Sequence, residues 1–317
     1  MAETDRIEVL TAAKLWPPMM ESLRGAFKVH DRTHQSDDGT AFAAAAPRIR
    51  AIAASGESKV PRELIAQLPK LEIVSVFGVG YDGVDVAAAR ERGIAVTHTP
   101  NVLNDEVADL AIALVLAVSR RLIEADRYVR SGAWAANGPM PLARKVSGAR
   151  LGIVGLGRIG MAIARRAEAF GMSIAYTSRN AKAEAPYPYF ASAEALAREV
   201  DFLVVITPGG AGTRKLIDAK VLAALGKKGF LVNVARGSVV DEQALVSALR
   251  DGTIAGAALD VFENEPSVPS ELLALDNVVL TPHIGSATWQ TRQAMADLAF
   301  GNLEAHFAGK PLLSPVP

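Results

Sequence analysis

Residues 150–160 read Arg150-Leu151-Gly152-Ile153-Val154-Gly155-Leu156-Gly157-Arg158-Ile159-Gly160 and lie near the middle of the 317-residue chain. The run starts as an apolar strand, breaks into glycines and continues as a helix up to Gly171. This is the G-x-G-x-x-G pattern in the strand-to-helix setting that binds a dinucleotide. Gly155 permits the tight turn, Gly157 lets the backbone approach a pyrophosphate, and Gly160 lets the helix lie close to the strand. Free N–H groups at the helix start favour the anion, so we predict a dinucleotide site here.

The tip of the second strand indicates which dinucleotide to expect. In an NAD site an Asp or Glu about 20 residues beyond the glycines binds the ribose 2′-OH. Here the strand predicted at 172–177 ends in Ser178-Arg179-Asn180, without an acid. A hydroxyl and a guanidinium suit a 2′-phosphate. The sequence therefore predicts that NADPH is preferred, with NADH possible, through Ser178 and Arg179. Arg158 is a weaker candidate, because it could equally reach the pyrophosphate or solvent.

Length and composition exclude several classes of protein. The length suits two domains better than one core. Lys and Arg number 34 and Asp and Glu also number 34, so nothing points to nucleic acid or an anionic membrane surface. The absence of cysteine excludes disulfides and thiol catalysis. The N-terminus lacks the apolar core of a signal peptide, and the longest apolar stretch, 110–118, is too short for a bilayer. We expect a cytoplasmic protein that acts on a small molecule, with no metal ion.

The first hundred or so residues alternate short strands and helices, which is typical of a parallel sheet covered by helices. Strands are predicted at 7–12, 28–31, 49–55, 71–77 and 94–98, and helices at 17–27, 61–68 and 85–92. A second glycine run, Gly78-Val79-Gly80-Tyr81-Asp82-Gly83, follows the fourth strand. As a nucleotide loop it would place Asp82 and Asp85 beside phosphates. We interpret it instead as backbone N–H groups that meet a small anion such as a substrate carboxylate, the alternative being a purely structural turn.

The remaining elements predict the domain organisation. A very apolar helix at 102–121 is expected to be buried, and the loop at 131–141 carries Trp134, which suits a subunit contact or a packed surface loop. Further helices are predicted at 192–200, 214–225, 241–251 and 287–307, and strands at 201–207, 229–234, 254–260 and 277–281. We predict an α/β protein with two doubly wound parallel-sheet domains. A Rossmann dinucleotide-binding domain occupies 100–287, and a discontinuous flavodoxin-like substrate domain occupies 1–99 and 288–317.

The last three strands of the second domain end in residues that carry chemistry. Ligands of open α/β sheets bind outside the carboxyl ends of the strands. These strands are followed by Arg236, by Glu263 and Glu265, and by His283. Reduction of a 2-oxo acid needs an acid for the carbonyl oxygen, which histidine supplies near neutral pH, and a neighbouring carboxylate favours the charged histidine. Arginine binds the substrate carboxylate in a fork. The other histidines are interpreted as structural: His30, His34, His98 and His306.

Four stretches together resemble the D-isomer-specific 2-hydroxyacid dehydrogenases, and most of all their glyoxylate/hydroxypyruvate reductase branch. They read Val154-Gly155-Leu156-Gly157-Arg158-Ile159-Gly160, Asn233-Val234-Ala235-Arg236-Gly237, Leu259-Asp260-Val261-Phe262-Glu263-Asn264-Glu265-Pro266 and Thr281-Pro282-His283-Ile284-Gly285. The likeness covers essentially the whole chain, including 77–82 and 104–109. It implies NADPH-dependent reduction of glyoxylate and hydroxypyruvate to D-2-hydroxy acids.

The resemblance also implies roles for individual residues. Arg236 binds substrate, Glu265 partners His283, and His283 is the acid/base. The backbone of Val79 and Gly80 binds the substrate carboxylate. Asp260 would meet the nicotinamide carboxamide. Expected cofactor contacts are Gly155, Leu156, Gly157, Arg158, Ile159, Gly160, Ser178, Arg179, Thr207, Pro208, Val234, Ala235, Arg236, Asp260, His283 and Gly285.

The family typically forms homodimers joined through the nucleotide domains, which agrees with a contact through the Trp134 loop. His98 departs from the Asn that family members often carry before Thr-Pro, so its contacts are left open. The scaffold also resembles transcriptional corepressors, which sense a nucleotide and can keep Arg236, Glu265 and His283. A D-2-hydroxyacid dehydrogenase of another substrate range, or one of the formate or phosphite type, is a further alternative. Loops such as 54–56 would select the oxo acid.

Overall fold

The computed structural model describes residues 6–32 and 40–317. Its strands are β1 (Glu8–Thr11), β2 (Lys28–Asp31), β3 (Ile49–Ser55), β4 (Ile73–Phe77), β5 (Ala95–Thr97), β6 (Arg150–Val154), β7 (Ser173–Thr177), β8 (Phe202–Val205), β9 (Phe230–Asn233), β10 (Gly256–Leu259) and β11 (Val278–Leu280). Its helices are α1 (Pro17–Ala26), α2 (Thr40–Ala45), α3 (Arg62–Ala66), α4 (Val86–Glu91), α5 (Asn104–Ser119), α6 (Leu122–Arg130), α7 (Ala133–Asn137), α8 (Arg158–Glu168), α9 (Ala193–Ala197), α10 (Ala219–Leu225), α11 (Glu242–Arg250), α12 (Ser270–Leu273) and α13 (Trp289–Phe307). The chain forms two compact units, Met1–Leu103 with Thr288–Pro317, and Asn104–Ala287. Among the described helices, none combines the length and the apolar character needed to cross a membrane.

The first unit is built on a five-stranded parallel sheet in the order β2-β1-β3-β4-β5. This is the strand order of flavodoxin-like sheets. β4 is buried along its whole length, and α13 covers it, with the Ser75 hydroxyl donating to the Ala299 carbonyl oxygen at 2.8 Å. After α13 the chain returns to β5, where Thr97 pairs with Pro315 in an antiparallel bridge. The C-terminal segment therefore completes the first unit although it is distant in sequence.

The second unit is built on a six-stranded parallel sheet in the order β11-β10-β9-β8-β6-β7. On the outer side of β7, Tyr189 forms an isolated parallel bridge with Tyr176. This bridge takes the place of the strand that normally follows β7 in a doubly wound nucleotide-binding sheet. The strand order reverses between β6 and β8, so the switch point lies at the end of β6. The predicted class, two parallel-sheet α/β domains, is confirmed.

Several local predictions are wrong. The helix predicted at 102–121 ends at Ser119, because Arg121 has a left-handed backbone (φ 54°) and α6 begins after it. The loop predicted at 131–141 contains α7. The helix predicted at 214–225 begins only at Ala219, because Ile217 is held by a backbone bond to Val239 instead. The sequence also did not predict α2 and α12, and most other elements are shorter than predicted.

Candidate active site

The glycine loop joins β6 to α8 at the switch point of the second sheet. Gly155 has φ +105°, and a Cβ there would lie 2.8 Å from the Ile206 carbonyl oxygen. A Cβ on Gly160 would overlap the Gly155 carbonyl oxygen. A Cβ on Gly157, in contrast, would meet no atom of the described residues within 4 Å. Internal packing therefore requires the first and third glycines, whereas the second leaves room beside the N-terminus of α8, which fits a pyrophosphate.

The tip of β7 offers a hydroxyl and a cation. The Ser178 hydroxyl donates to the Asn180 carbonyl oxygen at 2.7 Å, and the Tyr189 hydroxyl donates to the Ser178 carbonyl oxygen at 3.4 Å. The turn is thus held by its own hydrogen bonds, and the Ser178 hydroxyl must rotate before it can donate to a ligand. Arg179 is exposed. A phosphate at this tip would meet the guanidinium without displacing a buried group.

Arg236 follows β9 in a loop that is fixed from two sides. The side-chain amide of Asn233 donates to the Arg236 carbonyl oxygen at 3.0 Å, and its oxygen accepts the Ala235 N–H at 3.1 Å. A Cβ on Gly237 would overlap the backbone of Phe262, so the loops after β9 and β10 lie directly against each other. The half-buried Arg236 guanidinium donates to the Ala235 carbonyl oxygen at 2.7 Å.

The loops after β10 and β11 bring the acid and the histidine together. Glu265 Oε2 lies 2.7 Å from His283 Nδ1, and Glu265 Oε1 accepts the Phe262 N–H at 2.8 Å. The carboxylate is therefore held on both oxygens, and it fixes the imidazole through Nδ1. His283 has a left-handed backbone (φ 52°), which non-glycine residues seldom adopt. Its N–H donates to the Asp260 carbonyl oxygen at 2.9 Å, which helps to hold this conformation.

Asp260 holds the turn that carries His283. It is 2% exposed, and its carboxylate accepts from the Thr281 hydroxyl at 2.6 Å and from the Ile284 and Gly285 N–H groups, each at 2.8 Å. Burial raises the pKa of Asp260 above its ordinary value, although these hydrogen bonds act in the opposite sense. Oδ1 accepts two of the bonds and Oδ2 one, so Oδ2 retains acceptor capacity for a ligand N–H. Sequence reasoning assigned Asp260 only a cofactor contact and did not identify its hold on the His283 turn.

The other expected cofactor residues differ in what they can offer. Leu156, Val234 and Ala235 are buried within the chain. Ile159 and Thr207 are half-buried, and Pro208 is exposed. Two supporting residues were missed by the sequence analysis, Asn233 and Glu242. Glu242 Oε2 accepts the Glu263 N–H at 3.2 Å, and burial raises the pKa of Glu242. For Asn233 the available signal was a polar residue at the end of an otherwise apolar strand.

In the first unit the glycine run after β4 packs against the turn after β3. A Cβ on Gly78 would lie 3.1 Å from Gly56 Cα, and one on Gly83 would overlap the Ser58 carbonyl oxygen. Val79 and Gly80 lie between these contacts and are half-buried. The run is thus packed against the turn after β3 at both ends, through Gly78 and Gly83, and the peptide groups of Val79 and Gly80 lie between these two contacts.

Two further histidines of the first unit contact carboxylates away from this loop. His30 Nε2 lies 2.6 Å from Glu8 and His306 Nε2 lies 3.2 Å from Glu72. His98, in contrast, contacts Val79 of the glycine run. His34 lies outside the described residues. The interpretation of His98 as only structural is therefore the least well supported of the four.

Comparisons with known proteins agree on one family. Residues 112–285 match the family described as D-isomer specific 2-hydroxyacid dehydrogenase, NAD binding domain. The chain is 50% identical over 312 residues to the hydroxyphenylpyruvate reductase of Plectranthus scutellarioides, covering 98% of this chain and 99% of that protein. It is 55% identical over 268 residues to glyoxylate/hydroxypyruvate reductase A of Arabidopsis thaliana, covering 84% and 85%. The crystal structure of an NADPH-dependent glyoxylate/hydroxypyruvate reductase from Sinorhizobium meliloti, in complex with NADP and malonate, matches with TM-score 0.92 and 48% identity, covering 98% and 97%.

Proposed function

Because the chain belongs to the D-isomer-specific 2-hydroxyacid dehydrogenases, a family of oxidoreductases, we propose that it reduces glyoxylate and hydroxypyruvate to the D-2-hydroxy acids with NADPH. The observation that carries this proposal is the Glu265–His283 pair, 2.7 Å between Oε2 and Nδ1, at the sheet edge that also carries the glycine cradle and Arg236. The neutral net charge of the chain and the exposed Arg179 would not by themselves indicate a reductase. The paired imidazole supplies the acid that the reaction requires.

His283 acts as the general acid. When bound, the reduced nicotinamide supplies the hydride that reaches the carbonyl carbon of the oxo acid. The imidazolium gives its Nε2 proton to the carbonyl oxygen, so the C=O double bond becomes a C–O single bond with one new C–H and one new O–H bond, and the histidine is left neutral. Glu265 stabilises the imidazolium before transfer and keeps Nδ1 engaged, which directs the exchanged proton to Nε2. The histidine then takes a proton from solvent for the next turnover.

Arginine and backbone amides bind the carboxylate of the oxo acid. Arg236 is half-buried in a loop fixed by Asn233, so its guanidinium loses little freedom when it binds an anion. By the family resemblance, the N–H groups of Val79 and Gly80 in the first unit are also assigned to the substrate carboxylate. These assignments make the unit Asn104–Ala287 the nucleotide domain and the unit Met1–Leu103 with Thr288–Pro317 the substrate domain, with domain boundaries close to residues 100 and 287.

NADPH preference rests on the tip of β7. Arg179 and Ser178 stand where an NAD site has an acid, and a phosphate gains charge-assisted hydrogen bonds from a guanidinium. The relative from Sinorhizobium meliloti is described as NADPH-dependent, which supports the same choice for this chain. Asp260 Oδ2 is the acceptor for the carboxamide of the nicotinamide.

The protein forms a homodimer through the apolar arm, which comprises residues 122–142. α6 buries none of its residues within the chain, and exposed apolar side chains recur along the arm: Leu122, Ile123, Val129, Trp134 and Leu142. Leu142 is 99% exposed and lines a cavity of about 320 Å³ together with Ile123 and Val279. A patch of this kind favours a second copy of the same surface, in line with closed two-fold assembly.

Steady-state turnover tests the proposed function. The purified protein should oxidise NADPH with glyoxylate and with hydroxypyruvate, and chiral analysis should give the D-hydroxy acid from hydroxypyruvate. Hydroxyphenylpyruvate belongs in the same panel, because one relative is described as a reductase of that acid. A protein that binds NADPH tightly but turns over none of these acids would be a nucleotide-sensing protein, and the proposal would be wrong.

A further inference from the structure

Two consecutive carbonyl groups of the glycine run are held by the residues that follow β5. The Thr99 N–H donates to the Gly78 carbonyl oxygen at 2.8 Å. The side chain of His98 approaches the next carbonyl, with Nδ1 2.9 Å from the Val79 oxygen. A carbonyl oxygen only accepts hydrogen bonds, so Nδ1 must carry the proton in this contact. Neutral histidine with the proton on Nδ1 and the imidazolium both satisfy it.

These two contacts fix the direction of two N–H groups. The peptides that link Gly78 to Val79 and Val79 to Gly80 are trans, since Glu265–Pro266 is the only cis bond within 6–32 and 40–317. In a trans peptide the C=O and N–H bonds point in opposite directions. The N–H groups of Val79 and Gly80 therefore point away from the end of β5. Neither donates a hydrogen bond to another described residue.

His98 is itself held firmly. The Tyr81 ring meets the imidazole edge to face, with ring centroids 5.3 Å apart and planes at 88°. The Ser314 hydroxyl donates to the His98 carbonyl oxygen at 2.6 Å, and it accepts from the side-chain amide of Asn302 at 2.8 Å. Asn302, on α13, is fully buried. A chain of hydrogen bonds thus runs from the last helix through the C-terminal segment and His98 to Val79.

We propose that His98 is a positioning residue for substrate binding, which orients the Val79–Gly80 peptide so that the Gly80 N–H meets the carboxylate of the oxo acid. The inference rests on the proposed function, because it takes the oxo acid as the anion bound by this loop. Without the Nδ1 donor the peptide is free to rotate, and its carbonyl oxygen, which repels a carboxylate, can replace the N–H. His98 touches neither the reacting carbon nor the cofactor in this role.

Substitutions at residue 98 separate the donor from the ring. His98→Leu removes the donor and should raise KM for glyoxylate or hydroxypyruvate about 3- to 10-fold, the worth of one hydrogen bond. The kcat and the KM for NADPH should stay within about twofold. The lost interaction holds the oxo acid equally in the ground state and in the transition state, so its loss changes only the KM for the oxo acid. In His98→Asn the side-chain amide nitrogen is bonded to Cγ, as Nδ1 is in histidine, so an N–H donor remains at nearly the same place. This variant should retain the KM of the wild type. His98→Gln moves the donor one bond further and should resemble His98→Leu; it also serves if the leucine variant does not fold.

His306→Leu is the matched control. It removes a half-buried histidine of the same unit that pairs with Glu72 rather than with the loop, so the KM for the oxo acid should not change. The inference is overturned if the wild type is active but His98→Leu and His98→Gln keep its KM, or if His98→Asn is impaired as strongly as they are. Equal rises in both KM values would also overturn it, because they would reflect a general loss of structure. A wild type that reduces no 2-oxo acid would instead refute the proposed function, and the inference with it.

Discussion

Glu265 bridges the Phe262 amide and the His283 imidazole, with Oε1 2.8 Å from one nitrogen and Oε2 2.7 Å from the other. Both partners are only partly exposed: 20% of the Glu265 side-chain surface and 29% of the His283 side-chain surface are accessible to solvent. The bridge therefore fixes the position of the histidine.

Replacing His283 with Asn should lower kcat for glyoxylate reduction by about 10²- to 10⁴-fold, the usual contribution of a general acid. Asn cannot release a proton near neutral pH, while its size leaves the turn held by Asp260 intact. NADPH affinity, measured by fluorescence titration, should be unchanged. His306→Asn is the control and should keep full activity. Near-complete turnover by the His283 variant would show that another group is the acid.

Glu265→Gln should move the high-pH limb of the reduction profile to lower pH by about one unit or more. If the Gln oxygen keeps the Phe262 N–H, its NH₂ group faces Nδ1 and needs a lone pair there. Only neutral imidazole offers that lone pair, and the negative charge is also lost. The protonated form is thus disfavoured, and activity falls earlier as the pH rises. The measurement is kcat/KM against pH for both proteins; coincident limbs would mean that Glu265 does not control the titrating group.

Leu142→Asp should convert the proposed dimer to a monomer, because it places a charge in the apolar arm at a side chain that is 99% exposed in the single chain. Sedimentation equilibrium of the wild type and the variant measures this. Leu273→Asp is the control: Leu273 is also exposed and apolar, at 65%, but lies outside the arm. A monomeric wild type, or a variant that remains dimeric, would contradict the assignment of the arm.

Glu8→Gln should destabilise the first unit at neutral pH. Burial raises the pKa of Glu8, but hydrogen bonds from Arg48, His30 and Lys28 outweigh burial and lower it from 4.5 to about 2. A carboxylate with a lowered pKa stabilises the fold above its unfolded pKa and loses that contribution as the pH falls through the folded one. The stabilisation is at most about 3 kcal/mol at pH 7.

The melting temperatures of wild type and Glu8→Gln should therefore differ at pH 7 and converge as the pH is lowered from about 4.5 towards 2. Glu91→Gln, which breaks an exposed pair with Arg62, should change the melting temperature little at any pH. A difference for Glu8→Gln that is independent of pH would mean that the ion pairs do not account for it.

The glycine loop and the meeting of the candidate site residues at one sheet edge could be predicted from sequence for a simple geometric reason. Parallel strands place their carboxyl ends on one edge, so the residues after β9, β10 and β11 had to lie near one another. The residue types after each apolar run were enough to select Arg236, an acid at Glu263 or Glu265, and His283 as candidates, and the family resemblance then chose Glu265. The packing demands on Gly155 and Gly160 are likewise local, since they involve the adjoining strand and helix.

Other features depend on tertiary contacts that no local pattern contains. The contact of His98 with Val79 requires β4 and β5 to pair in the observed register. The hydrogen bond from Asn302 to the Ser314 hydroxyl forms only because the chain turns back after α13. The segment before α10 was predicted to be helical, but the Ile217 N–H in it donates to the Val239 carbonyl oxygen. Helix propensity is a weak preference, and such pairing overrides it.

Arg179→Ala tests the choice of cofactor. The arginine is exposed at the tip of β7, beside the turn that Ser178 and Asn180 hold together. A 2′-phosphate there gains a charge-assisted hydrogen bond worth roughly 1.5–3 kcal/mol, whereas NADH has only a hydroxyl at this position. The variant should therefore raise KM for NADPH about tenfold or more and leave KM for NADH nearly unchanged. Lys182→Ala removes another exposed cation from the same turn region and should affect neither cofactor strongly. Equal losses with both cofactors would show that Arg179 does not contact the 2′-phosphate, and a wild-type preference for NADH would refute the NADPH assignment itself.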